Sequence, residues 1–141
     1  MNNRLLAGNA TFYVKNTITG NKFTFKIFKR NVYVKNFAIR NKKWKYFANS
    51  ERSTKLGYIS KEDVFIPTNG YKPIGKLSTN PYYKWPVEAF AWFWLRVNAL
   101  PNNVEVKHAN RCVRCGKVLT DESSMSKWFG PICYKKHQHV Q

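Results

Sequence analysis

The chain has 141 residues, with 25 Lys or Arg against 7 Asp or Glu, for a net charge of +18. A hydrophobic content of 43% excludes wholesale disorder, and the length suits one domain or one domain with a small appendage. Charge of this size repels itself and draws polyanions, among which nucleic acid is the commonest partner. Residues 1–50 hold 11 of the basic residues and none of the acidic ones, so +11 falls there and +7 after. The most apolar stretch, Val87 to Val97, carries Glu88 and Arg96 and is too short for a bilayer span. Met1–Ala10 lacks the apolar region of a signal peptide. A soluble intracellular protein with no membrane partner is expected.

Residues 11–66 read as strands. Phe23, Phe25 and Ile27 alternate with Lys22, Thr24 and Lys26, the period of a half-buried strand. Thr11 to Lys15 pairs with this run across Thr17-Ile18-Thr19-Gly20-Asn21, which has turn chemistry. Val32-Tyr33-Val34 and Trp44-Lys45-Tyr46-Phe47 read as further strands, with Leu56 to Ile59 and Val64 to Ile66 as weaker ones. The expected product is a twisted antiparallel sheet with one apolar and one lysine-rich face.

Pro67, Gly70, Pro73, Gly75 and Pro81 punctuate residues 67–83 as a loop. Pro86 suits the first turn of a helix running to about Val97. Phe90, Ala91, Phe93, Trp94, Leu95 and Val97 cover most of its circumference, and Lys84, Glu88, Trp92 and Arg96 form its polar stripe. Trp92 reads either as a surface residue lying over the protein or as a contact for a partner.

All three cysteines lie in residues 112–133, an odd cluster that points to metal in a reducing compartment rather than to disulfides. Cys112-Val-Arg-Cys115-Gly116 is a zinc knuckle: the two-residue spacer lets both thiolates face one ion, and the glycine takes the tight turn. Pro131 marks a helix start, which places Cys133 in the first turn and His137 four residues on, along the same helical face. His108, four residues before Cys112, is the rival fourth ligand, and the choice stays open at this stage. Three cysteines with one histidine would leave no open position for water, so Zn2+ reads as structural. No carboxylate is spaced as a general base, and an enzyme is not expected. About 30 residues hold too little core to fold without the ion.

The run His108-Ala-Asn-Arg-Cys112-Val-Arg-Cys115-Gly116-Lys-Val-Leu119-Thr120, followed by Ser124 and Gly130-Pro131-Ile-Cys133, resembles the zinc-binding end of a group of small, uncharacterised tailed-phage proteins. Thr19-Gly20-Asn21-Lys22-Phe23-Thr24-Phe25 and Ala89-Phe90-Ala91-Trp92-Phe93-Trp94 are similar to the opening and the aromatic helix of that group. The resemblance covers most of the chain outside residues 30–80. It implies phage origin, a zinc module and a role for His108 as the matching histidine, and it implies no activity.

Arg40-Asn-Lys42-Lys43-Trp44-Lys45-Tyr46-Phe47 interleaves bases and aromatics most densely. Lysines neutralise phosphates, and Trp44 or Tyr46 could stack on exposed bases or lie in the core. Lys22, Lys26, Arg40, Lys42, Lys43, Lys45 and Trp44 are the candidate nucleic-acid contacts, extended by Arg111 and Arg114 beside the knuckle. The expected fold is α+β. Residues 1–104 form a basic domain with strands at about 11–66 and a helix at about 86–97, and residues 105–141 form a treble-clef-like zinc module. The expected function is binding of DNA or RNA by a phage accessory protein in the host cytoplasm. The alternative is a module that binds and inhibits or redirects a host protein or nucleoprotein complex.

Overall fold

A computed structural model describes residues 2–34, 41–50, 55–68 and 81–140. In chain order the elements are α1 (Asn2–Leu5), β1 (Asn9–Asn16), β2 (Lys22–Val34), β3 (Asn41–Ser50), β4 (Lys55–Ile59), β5 (Phe65–Pro67), α2 (Pro81–Leu95), β6 (Val104–His108), α3 (Glu122–Lys127) and α4 (Pro131–Val140). The fold is α+β, with one antiparallel sheet in the order β5-β4-β3-β2-β1-β6.

The first hairpin forms as its pattern predicts. Asn16 closes the turn with its side chain, whose Oδ1 accepts from the Ile18 and Thr19 amides, while Gly20 at φ 79° donates to the Asn16 carbonyl. The register opposes Phe12 to Phe25, Ala10 to Ile27 and Val14 to Phe23, so the apolar alternates of both strands share one face. Ala48 continues that face on β3, opposite Ile27. Tyr46 belongs to it as well: its hydroxyl donates to the Leu6 carbonyl at 2.6 Å, and burial pushes the phenol up from its ordinary value.

Helix α2 crosses this face and carries the chain from the β5 edge to the β6 edge. It starts at Pro81, five residues before the expected start, so Pro86 lies inside it. Pro81 takes the first-turn position that suits proline, and Pro86 forfeits one bond to the carbonyl four residues back. Phe90 is the pivot. Its ring meets Phe25 at 5.1 Å and 81° and Phe65 at 4.7 Å and 64°, and it stacks on Trp94. Phe93 meets Phe12 at 5.6 Å, and the Trp94 indole donates to the Asp63 carbonyl at 2.7 Å. Such ring pairs add about 0.5–1.5 kcal/mol each beyond the area they bury. Leu95 does not join the buried face, being 81% exposed, and Trp92 is 40% exposed beneath the Arg96 guanidinium at 4.6 Å.

A further strand extends the expected arrangement. Val104–His108 pairs with β1 as a sixth strand, Val14 opposite Val106 and Phe12 opposite His108. The segment taken as the start of the zinc module is therefore stitched into the sheet. Asn9 N–H donates to the Val113 carbonyl and Ala109 N–H to the Thr11 carbonyl, both about 3 Å or less. Among the described residues no helix is long and apolar enough to cross a membrane.

Phe90→Ala removes a fully buried ring shared by two strands and a helix. It should cost about 3–5 kcal/mol of unfolding free energy, measured by urea denaturation followed by circular dichroism.

Candidate metal centre and basic sheet face

The knuckle is built by a short hairpin. Arg111 and Val118 form an antiparallel bridge, Cys112 N–H donates to the Lys117 carbonyl at 2.8 Å, and Gly116 N–H donates back to the Cys112 carbonyl at 2.8 Å. Gly116 has φ 79°, and a Cβ there would stand 2.7 Å from Asn9 Nδ2. The positive φ favours glycine at this turn, and a Cβ there would also push the end of the Asn9 side chain aside. The Arg111 guanidinium donates to the Gly116 carbonyl at 3.0 Å and clamps the same turn.

Pro131 opens α4 as expected, and Cys133 follows in the first turn. The Sγ atoms of Cys112, Cys115 and Cys133 lie within 4.8 Å of one another. A tetrahedral ion with metal–sulfur bonds of about 2.3 Å sets sulfurs roughly 3.8 Å apart, so the three need only close slightly on an ion. Their protonation fits this. Burial pushes the Cys112 thiol up, but the amides of Cys115, Gly130 and Arg114 outweigh it and hold the thiol below its ordinary value. Cys133 is pushed up to about 11, by burial and by sharing its surroundings with Cys115 and Cys112. Three thiolates this close would repel one another, and a divalent ion would offset that charge.

Neither candidate histidine brings a ring nitrogen within 4.8 Å of all three sulfurs. His108 is occupied elsewhere. Its Nδ1 accepts from the Asn110 amide at 2.9 Å, so Nε2 carries the proton and donates to the Met125 carbonyl at 2.6 Å. Its ring also meets Trp128 edge-on at 5.3 Å. His108 thus acts here as a strut from β6 to α3, with both ring nitrogens hydrogen-bonded. The His137 ring lies on Phe129 at 4.6 Å and 27°. The cysteines line one side of an open cleft of about 600 Å³ that they share with Thr120, Asp121 and Ser124. Asp121 caps α3 by accepting from the Ser124 amide at 3.0 Å, and that amide and the Ser124 hydroxyl hold its carboxyl below its ordinary value.

The second candidate is the sheet face opposite α2. Strand register sets Asn9, Phe28, Phe47, Tyr58 and Ile66 in one row across five strands. Lys26, Asn49 and Lys55 form the row on one side, and Arg30 and Lys45 the row on the other. The Phe28 and Phe47 rings stack at 5.8 Å and 25°. Cations lie on these rings: Lys26 and Arg30 at 5.9 and 5.6 Å from Phe28, Lys55 at 5.2 Å from Phe47, and Lys45 at 3.4 Å from Tyr58. Each such contact at a wet surface contributes about 0.5–1 kcal/mol.

Of the sequence-derived contacts, Lys22, Lys26 and Lys45 fall on this face, Lys22 lying over Tyr13 at 4.4 Å. Arg111 and Arg114 belong to the knuckle, which meets the β1 end of the aromatic row through the Gly116–Asn9 contact. Arg40 lies outside the described residues, as do the side chains of Lys42, Lys43 and Trp44. Sequence reasoning missed Phe28, Arg30, Phe47, Lys55 and Tyr58 as members of one surface. The only signal for them was alternation with buried neighbours, and it cannot align one strand with the next.

A family of unknown function, DUF6011, matches residues 105–138, the segment from β6 through the cysteine cluster into α4. No curated protein and no solved structure matches the chain.

Cobalt(II) titration should give thiolate-to-metal absorption saturating at one ion per chain. Cys115→Ser should abolish it. His108→Ala should keep it while lowering stability by about 1–3 kcal/mol, because the Met125 carbonyl and the Asn110 amide lose their partner.

Proposed function

We propose that this chain is a phage-encoded, non-enzymatic nucleic-acid-binding accessory protein acting in the host cytoplasm, with a structural Zn2+ in a treble-clef-like C-terminal module. The phage assignment rests on the sequence resemblance. The binding assignment rests on one observation above the others: Lys26, Lys55, Arg30 and Lys45 flank a single sheet face in register, on a chain of net charge +18. Cations held in rows on a rigid sheet meet a polyphosphate backbone without first being gathered from loops, so little ordering entropy is lost on binding.

Cys112, Cys115 and Cys133 would hold the zinc. A thiolate donor set suits a structural ion, which would cross-link the knuckle to α4 where the module's own core is small. The ion's part is then to hold the module against β1, and the lysines and arginines of the sheet carry the binding.

A second reading, docking on a host protein or nucleoprotein complex, is favoured by the exposed apolar side chains of Trp92 and Leu95 on α2. Pull-down from host lysate with and without nuclease separates the two. A protein partner retained after nuclease supports the second, and loss of all partners supports the first.

Binding to DNA or RNA, measured by fluorescence anisotropy from low to moderate salt, should weaken linearly in log–log form, with a slope of about 0.7–0.9 per phosphate contact. Lys26→Gln or Lys45→Gln should each lower the slope by about one contact. A slope near zero, or no binding at low salt, would overturn the reading.

A further inference from the structure

We propose that the sheet face opposite α2 binds single-stranded nucleic acid, with bases stacked on Phe28, Phe47 and Tyr58 and phosphates on the flanking cations. This rests on the nucleic-acid reading above and specifies its ligand and its contacts.

Geometry excludes the duplex as the ligand that uses these rings. Adjacent strands lie about 4.8 Å apart, so the six-stranded sheet is roughly 24 Å across, whereas the major groove of B-DNA is about 12 Å wide and admits a helix or a two-stranded ribbon. The face cannot enter the groove. Rings on a face that stays outside the groove can stack only on bases whose π-faces are free, and inside a duplex those faces are stacked on each other. A single strand offers them.

The row supplies what such a strand needs. Phe28 and Phe47 are parallel neighbours, and Tyr58 is the register partner of Phe47 on the next strand. Successive bases can therefore step across β2, β3 and β4 while the backbone runs along the rows of Lys26 and Lys55 or of Arg30 and Lys45. In the free protein the cations rest on the rings. A surface cation–π contact is weaker than a stacked base, so an incoming base displaces the cation, which then reaches the phosphate beside it. Every ring has its cation, so each stacking position comes with a neutralising charge. The contacts involve π-faces and phosphates and leave the sugar unread, so ribose and deoxyribose strands bind alike.

The test compares dT and rU oligonucleotides of about 15 nucleotides with a duplex of the same length, at matched salt, on the full chain. Both single strands should bind at least about tenfold tighter than the duplex. Phe47→Leu and Tyr58→Leu should each weaken single-strand binding by about tenfold, leaving duplex binding and the salt slope unchanged. Thermal melting checks that the variants fold. A wild-type measurement needs no variant: 5-iodouracil strands, irradiated and digested, should leave adducts on peptides carrying Phe28, Phe47 or Tyr58. Duplex binding as tight as single-strand binding, with the salt slope intact, would sink this proposal and leave the nucleic-acid reading standing. Adducts confined to other peptides would do the same. No binding to any strand would sink both.

Discussion

The register of β1 is the constraint on which the rest of the molecule depends. This strand is bonded on both edges, to β2 and to β6, and its first amide is bonded to Val113 beside Cys112. Its inward residue Phe12 touches Phe25 and Phe93, which ties the sheet to α2. Its outward residue Asn9 begins the aromatic row and packs on Gly116. Because side chains alternate with period two, a slip of one residue would turn Phe12 outward and withdraw Asn9 from the knuckle in a single step. Core, open face and cysteine cluster are thus three readouts of one pairing. The Asn16 turn, which closes the first hairpin with its own side chain, keeps that pairing from drifting.

The two faces of the sheet solve different physical problems. One buries Phe12, Phe25, Ile27 and Ala48 under α2, where area removed from water and ring-on-ring packing supply the stability. The other keeps Phe28, Phe47 and Tyr58 half-buried under their cations. Aliphatic stems and charged heads of lysine and arginine cover apolar ring surface that would otherwise meet water, while the charges stay solvated.

Much of this was legible in the sequence because it is local. Alternation at Phe23, Phe25 and Ile27 places one strand, and a CxxC spacer followed by glycine places a knuckle within five residues. Pro131 places Cys133 in a first turn. What was not legible depends on distant partners. The ring nitrogens of His108 are taken by Asn110 and Met125, and nothing in the four-residue spacing to Cys112 distinguishes a strut from a ligand. Phe28, Phe47 and Tyr58 become neighbours only through two strand registers, one of them next to an irregularity at Ala48 and Asn49. Val104–His108 alternates too briefly to announce a strand until β1 offers it an edge. The helix start is hard to place from sequence because Pro81 and Pro86 both suit a first turn, and local pattern does not tell which begins it.

The close approach of Gly116 to Asn9 bears on how portable the C-terminal segment is. A self-contained zinc cassette could be moved between proteins with only its ligands and its small core. Here the turn that holds two of the cysteines is shaped against a side chain some hundred positions earlier, and the strand leading into it completes a sheet made by the other end of the chain. Joining this segment to a different sheet would have to supply a free antiparallel edge of matching length beside it and room at the Gly116 turn. The segment is therefore half of a joint whose other half is β1.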